Sequence, residues 1–137
     1  MTALRSTTAV IDDDPLFHWI IENRLESFQS GAKLLRFENG RKALEHLKNN
    51  RHKPEELPDK ILLDLFMPEM DGLEFLDALG EVKSSIDKHI AIFVTTVSMD
   101  PHHRELVAQH PEVDGYFIKP LTEPAFRTLY PEVFKKD

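Results

Sequence analysis

Cysteine is absent from this 137-residue chain, which excludes a disulfide framework, thiolate metal sites and a cysteine nucleophile. Long apolar runs are missing too. None approaches the ~18 residues of a membrane span, and Met1-Thr2-Ala3-Leu4-Arg5 lacks the apolar core of a signal peptide, so a cytoplasmic location without membrane insertion is expected. Basic residues are outnumbered, 17 Lys and Arg against 24 Asp and Glu, for a net charge of −7. The most basic groups, Arg51-His52-Lys53 and Lys135-Lys136, are too short to neutralise a phosphate backbone, so no nucleic-acid partner is expected. No internal repeat, low-complexity tract or interdomain linker occurs. What remains is 41% hydrophobic and 30% charged, an ordinary composition for one globular domain with a sizeable core.

Apolar runs alternate with helical patterns along the chain, the signature of repeated βα units. Strands are expected near residues 7–12, 33–37, 60–65, 89–96 and 114–119. The first helix starts behind Asp14 as N-cap with Pro15 in its first turn, and Phe17, Ile20, Ile21, Leu25 and Phe28 form its inward stripe. Arg24 interrupts that stripe. Further helices are expected over about 40–50, 72–83 and 101–109, with a short fifth from about Thr122 that Pro131 stops. This makes an α/β fold of (βα)5 type, and the polar loop 49–59 is the longest connection. The fifth unit runs nearly to the last residue given, so no output domain is expected within these 137 residues.

Three of the five apolar runs end in chemically active residues. Asp12-Asp13-Asp14 closes the first, Asp64 the third, and Tyr116 and Lys119 lie at the end of the fifth. A parallel sheet gathers such strand ends along one edge, where open α/β folds bind ligands, so this edge suits a divalent cation and a phosphoryl group. Each piece has a plainer explanation by itself. Three aspartates form solvated turns or helix caps, and a lone tyrosine is commonly half-buried packing. His102, His103 and His110 share one helix without an i,i+4 pair, so a zinc site is not expected.

Taken together, Asp12-Asp13-Asp14-Pro15, Leu63-Asp64-Leu65-Phe66-Met67-Pro68-Glu69-Met70-Asp71-Gly72, Thr95-Thr96 and Gly115-Tyr116-Phe117-Ile118-Lys119-Pro120 resemble the receiver domain of two-component response regulators. The resemblance covers about residues 8–130. It implies a doubly wound parallel sheet in the flavodoxin-like order 2-1-3-4-5, with the whole of 1–137 forming a single receiver domain. Asp64 matches the aspartate phosphorylated by a sensor histidine kinase or a histidine phosphotransfer protein. Asp12 and Asp13 match the acidic pair that holds Mg2+ together with Asp64, and the backbone carbonyl of Phe66 matches a further metal ligand. Thr96 matches the switch hydroxyl, Lys119 the lysine that neutralises a phosphoryl oxygen, and Tyr116 the aromatic switch residue. The Lys119-Pro120 bond is expected to be cis. Related receivers dock on phosphotransfer bundles through the first helix, so Trp19, with His18 and Glu22, is the expected partner surface. On the helical wheel Trp19 lies about 170° from the inward stripe. The oligomeric state implied is a monomer or a weak phosphorylation-dependent dimer.

Two positions depart from the pattern. Val97 follows the switch threonine where a small residue is usual, and Phe66 is bulky two positions after the acceptor; either could keep water from an acyl phosphate. Other classes fit less well. An Asp-nucleophile phosphatase of the haloacid-dehalogenase type needs an Asp two positions after the nucleophile, where Phe66 stands. A flavodoxin-like module needs a Ser/Thr/Gly-rich loop after the first strand, and a phosphorylation-independent interaction domain would not require the complete acidic and lysine set.

Overall fold

The computed structural model describes residues 6–28 and 32–134. The basic pair Lys135-Lys136 and the N-terminal Met1–Arg5 lie outside them. Five strands, β1 (Thr7–Ile11), β2 (Lys33–Phe37), β3 (Lys60–Leu63), β4 (Ala91–Thr96) and β5 (Val113–Ile118), alternate with α1 (Pro15–Ser27), α2 (Gly40–Asn49), α3 (Gly72–Val82), α4 (Pro101–Ala108) and α5 (Glu123–Leu129). A short α6 (Pro131–Phe134) follows α5 across the break at Pro131. All strand pairs are parallel, in the order β2-β1-β3-β4-β5, as the resemblance implies. No helix among the described residues is long and apolar enough to cross a membrane.

Strand alternation divides the core into two layers, because successive side chains point to opposite faces. Ala9, Ile11, Ile61, Leu63 and Ile92 face α2 and α3. Val10 and Leu62 face α1, α5 and α6. Beneath α4, a smaller cluster joins Leu65, Val94 and Val107. Between β4 and β5 the register slips after Ile92, and the Asp114 carboxylate accepts the Ile92 N–H at 2.9 Å in place of a backbone carbonyl. That bulge leaves Thr95 and Thr96 opposite Phe117 and Ile118, bringing the ends of β4 and β5 level.

The first helix differs from its expected inward stripe in two places. Phe17, Ile21, Leu25 and Phe28 are buried, whereas Ile20 is 41% exposed and His18 only 8%. At 100° per residue, His18 lies about 65° from the centre of the buried four and Ile20 about 95°. His18 therefore borders the buried sector more closely than Ile20 and is itself buried, which corrects its assignment to the partner surface. Arg24 is also accounted for. Its guanidinium donates to both oxygens of Glu123 at 2.5 and 2.6 Å and lies over the rings of Phe28 and Phe126, so the stem packs while the charge ties α1 to α5.

The polar loop before β3 is less free than its composition suggests. It contains a 3-10 turn at Pro54–Glu56, Leu57 is fully buried, and Lys88 Nζ donates to the carbonyls of Pro54 and Leu57.

Candidate functional site

The ends of β1 and β3 lie side by side, Ile11 paired with Leu63, and the chain continues from each directly into an aspartate. Asp12 keeps the ladder for one more bond, its N–H donating to Phe37 O at 3.0 Å, and is 1% exposed. Its Oδ1 accepts from Asp14 N at 2.9 Å, a turn that presents Asp13 outward. The Asp14 side chain then caps α1 by accepting from Leu16 N. Asp64 donates its N–H to Ile11 O, and its Oδ1 accepts from Leu65 N at 2.9 Å. Carboxylate oxygens of Asp12, Asp13 and Asp64 all fall within 4.8 Å of one another.

Lysine 119 supplies the opposing charge. It ion-pairs with Asp12, lies 3.9 Å from Asp64 Oδ1, and its ammonium sits over the Phe17 ring. Its backbone N–H donates to Thr96 O at 2.8 Å, and the bond to Pro120 is cis. One lysine does not balance three carboxylates. Burial, first, and the charge of Asp12, second, raise the Asp64 carboxyl to a pKa of about 6, against the opposing pull of Lys119 and the Leu65 N–H. The sites thus hold negative charge at a cost that a cation would relieve.

Glycine 72 explains how α3 reaches this edge. Its N–H donates to Leu65 O at 2.9 Å, and any β-carbon there would run into the Asp64 carbonyl and Leu65 Cα. The helix therefore starts directly against the backbone of Asp64 and Leu65, capped by the reciprocal Asp71 and Glu74 hydrogen bonds.

Thr96 is fully buried at the end of β4, and its Oγ1 accepts from Ser98 N at 3.1 Å. Thr95 is equally buried, and its hydroxyl has no partner among the described residues. Tyr116 is half-buried under the Arg104 guanidinium; burial raises its phenol pKa, and its hydroxyl is also unpartnered among the described residues. Of the two departures, Val97 is 70% exposed and Phe66 49%. The Phe66 ring meets His103 edge-on at 5.0 Å, and His103 Nδ1 lies 2.5 Å from Ser98 Oγ. That link between α4 and the loops after β3 and β4 has no periodic signal in the sequence. On α1, Trp19 is 60% and Leu16 59% exposed, and Glu22 pairs with Arg36 of β2.

The family model described as Response regulator receiver domain matches residues 8–130. Polar-differentiation response regulator DivK of Brucella anthropi is 27% identical over 117 residues, which cover 85% of this chain and 86% of DivK. Nitrate/nitrite response regulator protein NarL of Escherichia coli is 31% identical over 117 residues, covering 85% of this chain but 49% of NarL. Probable C4-dicarboxylate response regulator DctR of Bacillus subtilis is 26% identical, and the chain spans 45% of its length. A two-component response regulator from Cytophaga hutchinsonii superposes with a TM-score of 0.78 at 23% identity, over 95% of this chain and 97% of that one. Another from Legionella pneumophila gives 0.76 at 26% identity, over 94% and 98%. The match spans the five-stranded parallel sheet in the order β2-β1-β3-β4-β5, and the chain belongs to the response regulator receiver domain family.

Proposed function

We propose that this chain is a Mg2+-dependent phosphoacceptor that takes a phosphoryl group onto Asp64 from the phosphohistidine of a sensor histidine kinase or a histidine phosphotransfer protein. It then signals through protein contacts or onward transfer, in the cytoplasm. The observation that carries this reading is the convergence of Asp12, Asp13 and Asp64 within 4.8 Å beside the lysine paired with Asp12. Three hard oxygen donors suit a small divalent cation that keeps part of its water shell, and the Phe66 carbonyl is proposed as a further ligand. When bound, the cation offsets the repulsion between the acceptor carboxylate and the incoming phosphoryl oxygens.

The remaining work falls to the chain. An Asp64 carboxylate oxygen forms the O–P bond as the N–P bond of the donor histidine breaks, and the imidazole leaves with the electron pair and takes up a proton. Lys119 lies close enough to Asp64 to follow the growing charge on one phosphoryl oxygen. Thr96 is proposed to donate its hydroxyl to another, drawing the loop after β4 inward, and Tyr116 to respond by exchanging its position under Arg104. The exposed Leu16, Trp19 and Ile20 on α1, with Glu22, are proposed as the surface on which the phosphohistidine protein docks.

Intact mass after incubation with phosphoramidate tests the reading. One added phosphoryl group is expected with Mg2+, and none with chelator or in Asp64→Asn. Equal labelling of Asp64→Asn would refute it.

A further inference from the structure

His18 was expected on the surface, yet it is 92% buried by its 8% exposure, and its ring points at the acidic loop. Its Nε2 lies 2.7 Å from the Asp12 carbonyl oxygen. A carbonyl only accepts, so Nε2 carries the proton and donates. The Asp12 carbonyl needs that donor for a reason visible in the ladder. Within a parallel strand the N–H and C=O of one residue face the same neighbour. The Asp12 N–H bonds Phe37 O on β2, so its carbonyl also faces β2, where the next donor in register would be Asn39 N. Asn39 instead serves as the N-cap of α2, with extended backbone and its side chain on Lys42 N. The chain of β2 has turned away, and a buried carbonyl at this point would be unpaired without His18.

We infer that His18 is a positioning residue for the divalent-cation site: its imidazole fixes the Asp12 peptide and so aims the carboxylates of Asp12 and Asp13. This inference rests on the reading that those carboxylates hold Mg2+. Among the described residues the Asp12 carbonyl has no hydrogen bond but that from His18, while the Asp12 side chain already holds Asp14 N and Lys119. If the peptide rotates, Asp13 moves with it, and so does the Asp14 N–H that holds the Asp12 carboxylate. His18 acts through the backbone and touches neither metal nor phosphoryl group. The arrangement also makes α1 and the acidic loop one mechanical unit, because the donor sits a turn into the helix whose N-cap is Asp14.

The test is a MgCl2 titration of the full chain, read by the fluorescence of Trp19, the adjacent residue and the only tryptophan, and by the backbone amide NMR shifts of Asp13 and Asp14. Loss of a partner that orients a ligand typically weakens metal binding 10–100-fold. His18→Leu is therefore expected to weaken Mg2+ binding about 10-fold, and His18→Gln, whose amide nitrogen can reach the same carbonyl, to stay within about 2-fold of wild type. In chelator, the Asp13 and Asp14 amide shifts should move in His18→Leu and stay near wild type in His18→Gln. Should His18→Leu fail to fold, His18→Asn replaces it: an amide too short to reach should bind weakly while His18→Gln binds normally. Any other ordering of the variants overturns the inference. A wild-type chain with no saturable response to Mg2+ overturns the metal reading itself, whereas wild-type affinity in folded His18→Leu overturns only the role of His18.

Discussion

Replacing Asp64 with asparagine should stabilise the metal-free protein. The carboxyl is raised from 3.8 to about 6, first by burial and second by the charge of Asp12, so its ionised form destabilises the native state. Each tenfold change in proton affinity is worth about 1.4 kcal/mol, giving a cost of up to about 3 kcal/mol near neutral pH. The side chain is only 11% exposed, so solvent screens little of this. Asparagine keeps the shape and the acceptor for Leu65 N–H, and Lys119 retains Asp12. The sign follows from linkage. Because the folded carboxyl binds its proton more tightly than the unfolded one, the cost is absent below about pH 3.8, grows as pH rises to about 6, and is constant above. Thermal melts in chelator from pH 4 to 8 should show Asp64→Asn level with wild type at the acid end. By pH 7.5 it should melt higher by up to about 6–12 °C for a chain of this size. Excess Mg2+ should narrow or reverse the gap, since wild type has the complete carboxylate set. An asparagine variant that melts lower at pH 7.5, or a gap that ignores pH, would refute the electrostatic argument.

Tyr130→Phe removes the hydroxyl that shares a 2.8 Å hydrogen bond with Thr8 in the core, leaving a fully buried threonine hydroxyl unpaired at a cost of about 1–3 kcal/mol; denaturant unfolding should recover much of the loss in the Thr8→Val, Tyr130→Phe double variant. Gly72→Ala should lose phosphorylation along with stability, because its β-carbon meets the backbone of Asp64 and Leu65 rather than a movable side chain; a phosphoramidate reaction at the wild-type rate would contradict this. Phe66→Ala should hasten loss of the phosphoryl group by opening a water path beside Asp64, and Val97→Ala should do so less, since Val97 is 70% exposed; decay followed by intact mass decides the order. Trp19→Ala should slow phosphotransfer from a phosphohistidine protein while leaving phosphoramidate labelling unchanged, and an equal effect on both donors would place Trp19 outside the docking surface.

The fold was legible where periodicity is strong and burial two-sided. Apolar runs such as Ile61-Leu62-Leu63 fill both layers of the core at once, a demand that only a covered parallel strand makes. The carboxylate cluster was legible because a parallel sheet turns sequence position at a strand end into spatial convergence. Helix α1 was harder to read. Apolar character put Ile20 inward and polarity put His18 outward, but the orphaned Asp12 carbonyl makes a buried imidazole favourable at that angle. Arg24 was unreadable for a related reason, its partner Glu123 lying 99 residues away. The Ser98 and His103 pair depends on the path of a loop, which no local pattern records.

The central claim is that Asp64 carries the phosphoryl group, and borohydride trapping tests it most directly. Reduction of an aspartyl phosphate yields homoserine at the modified position, which peptide sequencing by mass spectrometry locates. After phosphoramidate and Mg2+, homoserine should be found at position 64 and be absent when chelator replaces the metal. Homoserine at Asp12, Asp13 or another aspartate, with position 64 unmodified, would contradict the account.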